Sequence, residues 1–301
     1  MWICKFFVLN HQVGGARCIC NLILFYFIRA RFFTARLAAN MSNPPNATAR
    51  LRSLVENGVA KRFDLSAWAR DATCAHATTA LERLEVVLEQ IRSDVVKLIV
   101  MESLDGTREA DLDTMVYGET KAKDFLSFLD DTAGLVRPRG GCSSSTEDKD
   151  AAKSSLTFYD LGSGAGKSVV TAALSSRFVA CHGIELLPCA HAIAECVVED
   201  FHACVAPRDD GFTPATTCRL GDIFIDDAWI DADYVFCNCV TWDEATMERL
   251  GRAAEAMRPG AVFVTVLCPL PSEKFELVRE TEIEFSWGRV EALVHRRLVN
   301  P

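Results

Sequence analysis

The sequence lacks the cysteine and histidine spacings that mark a metal site or a disulfide framework. Its 13 cysteines are odd in number and scattered, no C-x-x-C pair occurs, and the six histidines do not pair with cysteines at zinc-ligand spacing. We therefore expect no metal, and we interpret the cysteines as reduced core thiols of a protein from a reducing compartment.

The chain also lacks an apolar run long enough to cross a bilayer. The longest run near the N-terminus, residues 18–28, is about 11 residues long, whereas a spanning helix needs ~20. We expect no stable membrane insertion. Residues 1–46 form a basic, apolar leader with three interpretations: a transit peptide, a membrane-surface helix, or sequence upstream of a true start at Met41. The third is favoured, so this leader is left out of the predicted fold.

Net positive charge is confined to the N-terminal part of the chain. Residues 1–55 hold seven of the 32 basic residues and no acid, so the remaining 25 basic and 41 acidic residues give the rest a net charge of −16. This body is not expected to bind nucleic acid through bulk charge. A partner rich in nucleic acid would need a local basic patch or the basic N-terminus.

Apolar periodicity divides the rest into three segments. Residues 47–132 predict a helical cap, because apolar side chains recur at i, i+3 and i+4 over residues 81–99. Within the cap, Thr120 is expected to cap the helix that follows it. Residues 133–155 are rich in glycine, serine and charge, and predict a flexible loop. Residues 156–301 alternate strand and helix patterns.

The third segment opens with a strand, a glycine turn and a helix. The apolar run 156–161 contains Asp160, and Gly162, Gly164 and Gly166 follow at alternate positions. Such a turn receives nucleotide-like ligands, since glycine lets the backbone approach a ligand and the helix start offers free N–H groups. An acid at the strand end suits a ligand with a cationic amino-acid end and would repel a pyrophosphate.

Spacing separates the ligand classes that use this turn. A Walker A loop requires glycine where Leu161 stands, and a dinucleotide fingerprint requires glycine where Lys167 stands. The remaining pattern, Asp-x-Gly-x-Gly-x-Gly over residues 160–166, resembles the first motif of class I S-adenosylmethionine-dependent methyltransferases. The alternative is a glycine-rich turn that binds no ligand.

The fold class predicted for the third segment is α/β, a seven-stranded doubly wound sheet with the helical cap before it. After the glycine turn we expect strands at residues 178–184, 216–220, 234–237 and 261–267, an antiparallel pair at 283–287 and 290–297, and helices at 190–205 and 243–257.

Polar side chains end four successive predicted strands: Asp160, Glu185, Asp222 and Asn238. Ligands of such open sheets lie beyond the carboxyl ends of the strands. We expect Glu185 to accept both ribose hydroxyls, Asp222 to accept from the adenine amino group, and Ile223 to pack on the ring. Four such side chains together are hard to explain as surface decoration.

Several short motifs resemble the disruptor-of-telomeric-silencing family, the histone H3 lysine methyltransferases that lack a SET domain. They are the tetrapeptide Tyr117-Gly118-Glu119-Thr120 and the segments 158–166, 183–185, 221–222 and 235–238. The short chain resembles the compact kinetoplastid members. The resemblance implies S-adenosyl-L-methionine as cofactor, the nucleosome and its histone H3 as partner, and chromatin regulation in the nucleus.

The resemblance also implies roles for individual residues. Asn238, Trp242 and Tyr117 would serve the reacting centre, with residues 156–301 as the catalytic domain. The cofactor would contact Tyr117, Gly118, Glu119, Thr120, Phe158, Tyr159, Asp160, Leu161, Gly162, Ser163, Gly164, Ala165, Gly166, Lys167, Glu185, Asp222, Ile223 and Asn238.

The sequence departs from the family after the third and fourth strands. Cys239 and Val240 follow Asn238 where the family has a second asparagine and an aromatic residue, and Ile223 stands in the place of an aromatic, with Phe224 one position on. Two alternatives therefore stay open. One is a class I methyltransferase acting on another protein or a small-molecule amine, and the other is a cofactor-binding chromatin module without catalysis.

Overall fold

The computed structural model describes residues 77–89, 91, 93, 96–97, 119–139, 156–285 and 288–299. All of them belong to the compact unit Asn43–Pro301. The predicted leader, most of the predicted cap and the greater part of the predicted loop 133–155 lie outside these residues, as do Tyr117 and Gly118.

Helices and strands alternate along the described part of the chain, as the periodicity predicts. In chain order they are α1 (Ala80–Glu89), α2 (Ala122–Ala133), β1 (Leu156–Leu161), α3 (Lys167–Ala172), β2 (Phe178–Glu185), α4 (Pro188–Asp200) with a π-helical turn (Phe201–Val205), β3 (Ala215–Leu220), a 3-10 turn (Ala228–Asp231), β4 (Tyr234–Cys237), α5 (Glu244–Ala254), β5 (Val262–Val266), β6 (Phe275–Phe285) and β7 (Gly288–Arg297).

The seven strands form one sheet in the order β3-β2-β1-β4-β5-β7-β6. Neighbours from β3 to β5 pair in parallel, and β7 runs antiparallel to both β5 and β6. This arrangement confirms the predicted seven-stranded sheet with an antiparallel edge. The chain order reverses between β1 and β4, and open α/β sheets bind ligands at that point.

Apolar side chains cover both faces of the sheet. On one face Phe125 of α2 packs edge-on against Phe236 of β4, with ring centroids 5.0 Å apart. On the other face Trp229 packs edge-on against Phe263 of β5 at 6.0 Å. Because both faces are covered, β4 and β5 are buried at every position, and apart from Thr265 their residues are apolar.

The predicted strand at residues 283–287 is wrong in its bounds. β6 begins eight residues earlier, at Phe275, and pairs with β7 along its length. Glutamates and an arginine interrupt its apolar positions, because β6 is the edge strand and one side of it meets solvent. Pairing with β7 holds this segment extended although its own sequence has a weak strand preference.

The predicted capping role of Thr120 is also wrong. The N-cap of α2 is Lys121, and no side chain caps the helix. Thr120 instead forms an antiparallel bridge with Phe285 at the end of β6. The segment before α2 is therefore positioned by backbone pairing with the sheet edge.

Candidate active site

A cavity of about 310 Å³ lies at the carboxyl ends of β1, β2 and β4, beside the point where the strand order reverses. This volume is within the range of small-molecule sites. Most of the predicted site residues line it: Glu119, Thr120, Asp160, Gly162, Ser163, Gly164, Ala165, Lys167, Glu185, Asp222, Ile223, Asn238 and Trp242.

Backbone contacts hold the glycine turn against the second strand. The main-chain N–H groups of Gly162 and Ser163 both donate to the Ile184 carbonyl, at 2.9 and 3.1 Å. Gly164 has φ +54°, in the left-handed region that favours glycine. The turn can lie this close because Gly183 of β2 has no side chain, and a Cβ there would stand 2.6 Å from Ser163 Oγ.

Glu185 shapes the turn as well as lining the cavity. Its Oε2 accepts from the Gly164 N–H at 2.7 Å, and its Oε1 accepts from the Leu187 N–H at 2.8 Å. Burial raises the pKa of this carboxyl, and the two backbone donors oppose the rise. The sequence predicts the ribose contact of Glu185 and does not reveal these two backbone contacts.

Asp160 is a buried acid at the floor of the cavity. Burial raises its pKa to about 7, the hydrogen bond from the Ser168 hydroxyl lowers it, and the nearby Glu185 charge raises it further. A cationic group in the cavity would restore the charged form of Asp160. Its environment therefore favours a ligand with a positive end.

An ion pair joins the segment before α2 to the glycine turn. Lys167 Nζ lies 2.7 Å from Glu119 Oε2, and both side chains are nearly buried. The same ammonium donates to the Ile91 carbonyl, and the Ser93 hydroxyl donates to Glu119 Oε2. The sequence marks Ile91 only as an apolar position of the cap and gives Ser93 no motif, so neither is predicted at the site.

The β3 end of the cavity carries an acid and two apolar side chains. Asp222 Oδ1 accepts from the Phe224 N–H at 2.9 Å, and no described residue donates to Asp222 Oδ2. Ile223 and Phe224 both line the cavity, so the aromatic ring is present one position after the predicted contact. The Ile223 carbonyl accepts from Trp229 Nε1 at 2.8 Å.

The β4 end of the cavity holds the half-buried Asn238, whose amide oxygen is buried. Asn238 Oδ1 has no hydrogen-bond partner among the described residues, although an unpaired buried acceptor costs about 1–3 kcal/mol. Trp242 is half-buried beside it, and Thr241, Thr246 and Phe285 complete the wall. Sequence reasoning missed these three, since only the fold brings α5 and the end of β6 to this point.

Some predicted site residues lie elsewhere. Phe158, Tyr159 and Leu161 of β1 are buried in the two cores. Gly166 lets α4 approach, because a Cβ there would stand 3.0 Å from that of Ala194. None of these four residues lines the cavity, so the cofactor contacts predicted for them are not contacts of side chains that face it. Cys239, which departs from the family pattern, is buried with its Sγ 3.6 Å from the Val266 carbonyl.

The described residues contain neither a metal-ligand cluster nor a membrane-spanning helix. No three metal-ligating side chains cluster among them. No helix in the same part of the chain is long and apolar enough to cross a membrane.

The strand order, the glycine turn and the polar strand ends define the class of protein: the fold is that of class I S-adenosylmethionine-dependent methyltransferases. The sequence profile of the family described as "Histone methylation protein DOT1" matches residues 143–291. The chain belongs to this family, which is the disruptor-of-telomeric-silencing family that its motifs resemble, and it is an S-adenosylmethionine-dependent methyltransferase.

Comparison with solved structures matches several methyltransferases at low sequence identity. An RNA methyltransferase from Salinibacter ruber in complex with S-adenosyl-L-homocysteine is 18% identical with a TM-score of 0.38, covering 60% of this chain and 91% of its own. The rRNA methyltransferase aviRa from Streptomyces viridochromogenes is 12% identical with a TM-score of 0.41, covering 63% and 93%. No curated protein sequence matches the chain.

Proposed function

We propose that the protein transfers a methyl group from S-adenosylmethionine to a lysine in the core of histone H3 on nucleosomes, as a chromatin regulator of the nucleus. Membership of the histone methylation family supports the substrate class. The observation that carries the proposal is the buried, unpartnered Oδ1 of Asn238, which stands beside Trp242 and would accept a hydrogen bond from an entering amine.

The residues around the cavity fit this cofactor. Asp160 and Glu119 suit its ammonium group, and the left-handed Gly164 leaves room for its amino-acid end. Glu185 is expected to accept from the ribose, and the open Oδ2 of Asp222 from the adenine amino group. Tyr117 and Gly118, outside the described residues, are expected to close over the methionine end.

The reaction requires the protein to align the lysine nitrogen with the methyl group and to keep the amine neutral. S-adenosylmethionine, held by the cavity residues, would supply an activated methyl group to the lysine nitrogen, the N–C bond forming as the S–C bond breaks. Asn238 orients the nitrogen, and such positioning supplies much of the rate enhancement. Trp242 and Phe285 exclude water, which lowers the pKa of an entering lysine and keeps it neutral.

The charge around the cavity favours a basic protein substrate over a nucleic acid. Acids line the cavity, and Asp243 and Glu244 follow Trp242 at the start of α5. Negative charge attracts a lysine-rich peptide and repels phosphates. The net charge of −16 beyond residue 55 acts in the same direction.

A second candidate function is methylation of an amine on another protein or a small molecule. It is favoured by Cys239, which stands where the family has a second asparagine. Cys239 is buried, so Asn238 has no neighbouring amide at the cavity. A cofactor-binding chromatin module without catalysis is the third candidate.

Nucleosome methylation with labelled cofactor, followed by mass spectrometry of the histones, separates these candidates. Label on the core of H3 supports the proposal, and label on another protein or a small amine supports the second candidate. Binding of S-adenosylhomocysteine without transfer to any of them supports the third. Asn238→Ala is the matched inactive variant.

A further inference from the structure

A cation stacks on the aromatic ring at the β3 end of the cavity. The guanidinium carbon of Arg249 lies 4.0 Å from the centroid of the Phe224 ring. Phe224 lines the cavity, while Arg249 is exposed on α5. The ring therefore stands between a surface arginine and the space beside Asp222.

The turn that carries the ring is held by its backbone. The Phe224 N–H donates to Asp222 Oδ1, and the Ile225 and Asp226 N–H groups donate to the Asp222 carbonyl at 2.9 and 2.8 Å. These bonds fix where the Phe224 side chain begins. The ring itself can still rotate about its own torsions, and the guanidinium over one face restricts that rotation.

We propose that Arg249 is a positioning residue, which holds the Phe224 ring in the place where the adenine would stack on it. The inference rests on the proposed cofactor. Ile223 also lines the cavity, but an aliphatic side chain offers no π face, whereas base–aromatic stacking contributes substantially to binding. A ring held before the ligand arrives loses less entropy on binding, and affinity gains accordingly.

The test compares two arginines of α5. Arg249→Met removes the cation and keeps an unbranched stem. Arg252→Met makes the same charge change three residues further on, where Arg252 pairs at the surface with Glu248. Calorimetry with S-adenosylhomocysteine is expected to show a rise in Kd of about two- to five-fold for Arg249→Met and none for Arg252→Met.

Two further measurements separate positioning from a general structural role. In a Phe224→Leu background, Arg249→Met is expected to leave Kd unchanged, because the ring through which it acts is gone. Methylthioadenosine, which has the adenine and lacks the amino-acid end, is expected to lose affinity by the same factor as S-adenosylhomocysteine. The melting temperature of each ligand-free variant checks that the fold is intact.

An unchanged Kd for Arg249→Met overturns the inference, as does an equal loss in the Phe224→Leu background or with Arg252→Met. Failure of the proposed function is distinguishable. A wild-type protein that binds S-adenosylhomocysteine without methylating nucleosomes contradicts the histone proposal and leaves the role of Arg249 intact. A wild-type protein that does not bind it overturns both.

Discussion

Adding one methyl group to β2, in Gly183→Ala, is expected to displace the glycine turn. Gly183 pairs in register with Asp160 and lies beneath Ser163. The new Cβ would stand 2.6 Å from both the Cβ and the Oγ of Ser163 and 2.8 Å from Val169 Cγ2. Rotating the serine hydroxyl relieves one of these clashes. The Cβ of Ser163 moves only with the main chain of the turn.

The free-energy cost of Gly183→Ala should be that of overpacking a core, about 1–3 kcal/mol. If the turn must return to its present position to bind the cofactor, the same free energy weakens binding by about 5- to 150-fold. If it stays in place, the strain appears instead as a fall in melting temperature of about 2–4 °C for each kcal/mol. Thermal unfolding and calorimetry with S-adenosylhomocysteine together measure both effects.

Gly134→Ala is the matched control for Gly183→Ala. Gly134 follows α2 with φ −65°, and no atom lies within 4 Å of a Cβ placed there. This control is expected to be neutral or slightly stabilising, by about 0.4–1 kcal/mol. A Gly183→Ala variant that matches wild type in both melting temperature and Kd would refute the close packing of turn and strand.

Four further predictions concern the polar groups of the cavity. Asp160→Asn is expected to abolish cofactor binding yet raise the melting temperature of the ligand-free protein, and to raise it more at pH 8 than at pH 5. The folded-state pKa of Asp160 is about 7, above the ordinary 3.8, so the wild-type protein loses stability as pH rises from about 3.8 to 7. Equal shifts at both pH values would contradict this. Protonation of Asp160 would remove the negative charge that suits the cofactor's ammonium group, so wild-type cofactor affinity should fall below pH 7. Calorimetry at several pH values tests this. Asn238→Ala is expected to lower kcat at least tenfold with little change in cofactor Kd, and wild-type kcat would remove Asn238 from the reacting centre. Lys167→Met is expected to cost about 3 kcal/mol in chemical denaturation by leaving Glu119 without its cation, with most of that loss recovered in the double variant with Glu119→Gln; no recovery would mean that the pair is not coupled.

Local spacing determined the class of this protein. The apolar run before Asp160, the alternate glycines and the helical pattern after them all lie within residues 156–172, so the signal for the turn is local in sequence. The polar ends at Glu185, Asp222 and Asn238 are equally local, because each follows a short buried strand. Parallel strands then bring these ends to one edge of the sheet.

Contacts between distant segments were decided only by the tertiary structure. Lys167 meets Glu119 across 48 positions and the Ile91 carbonyl across 76. The motif marks Glu119 and the apolar periodicity marks Ile91, yet neither signal shows that Lys167 is their partner. Thr120 satisfied a local rule for helix caps, yet its pairing with Phe285 on the sheet edge overrode that preference.

The glycines of the site show both what the local sequence determines and what only the tertiary structure determines. The sequence marks Gly162, Gly164 and Gly166 as a turn, and positive φ values at all three confirm it. It does not reveal that Gly166 makes room for Ala194, or Gly183 for Ser163. Backbone conformation is a local property that residue type constrains directly, whereas the space around a Cβ depends on which elements the whole fold packs against it.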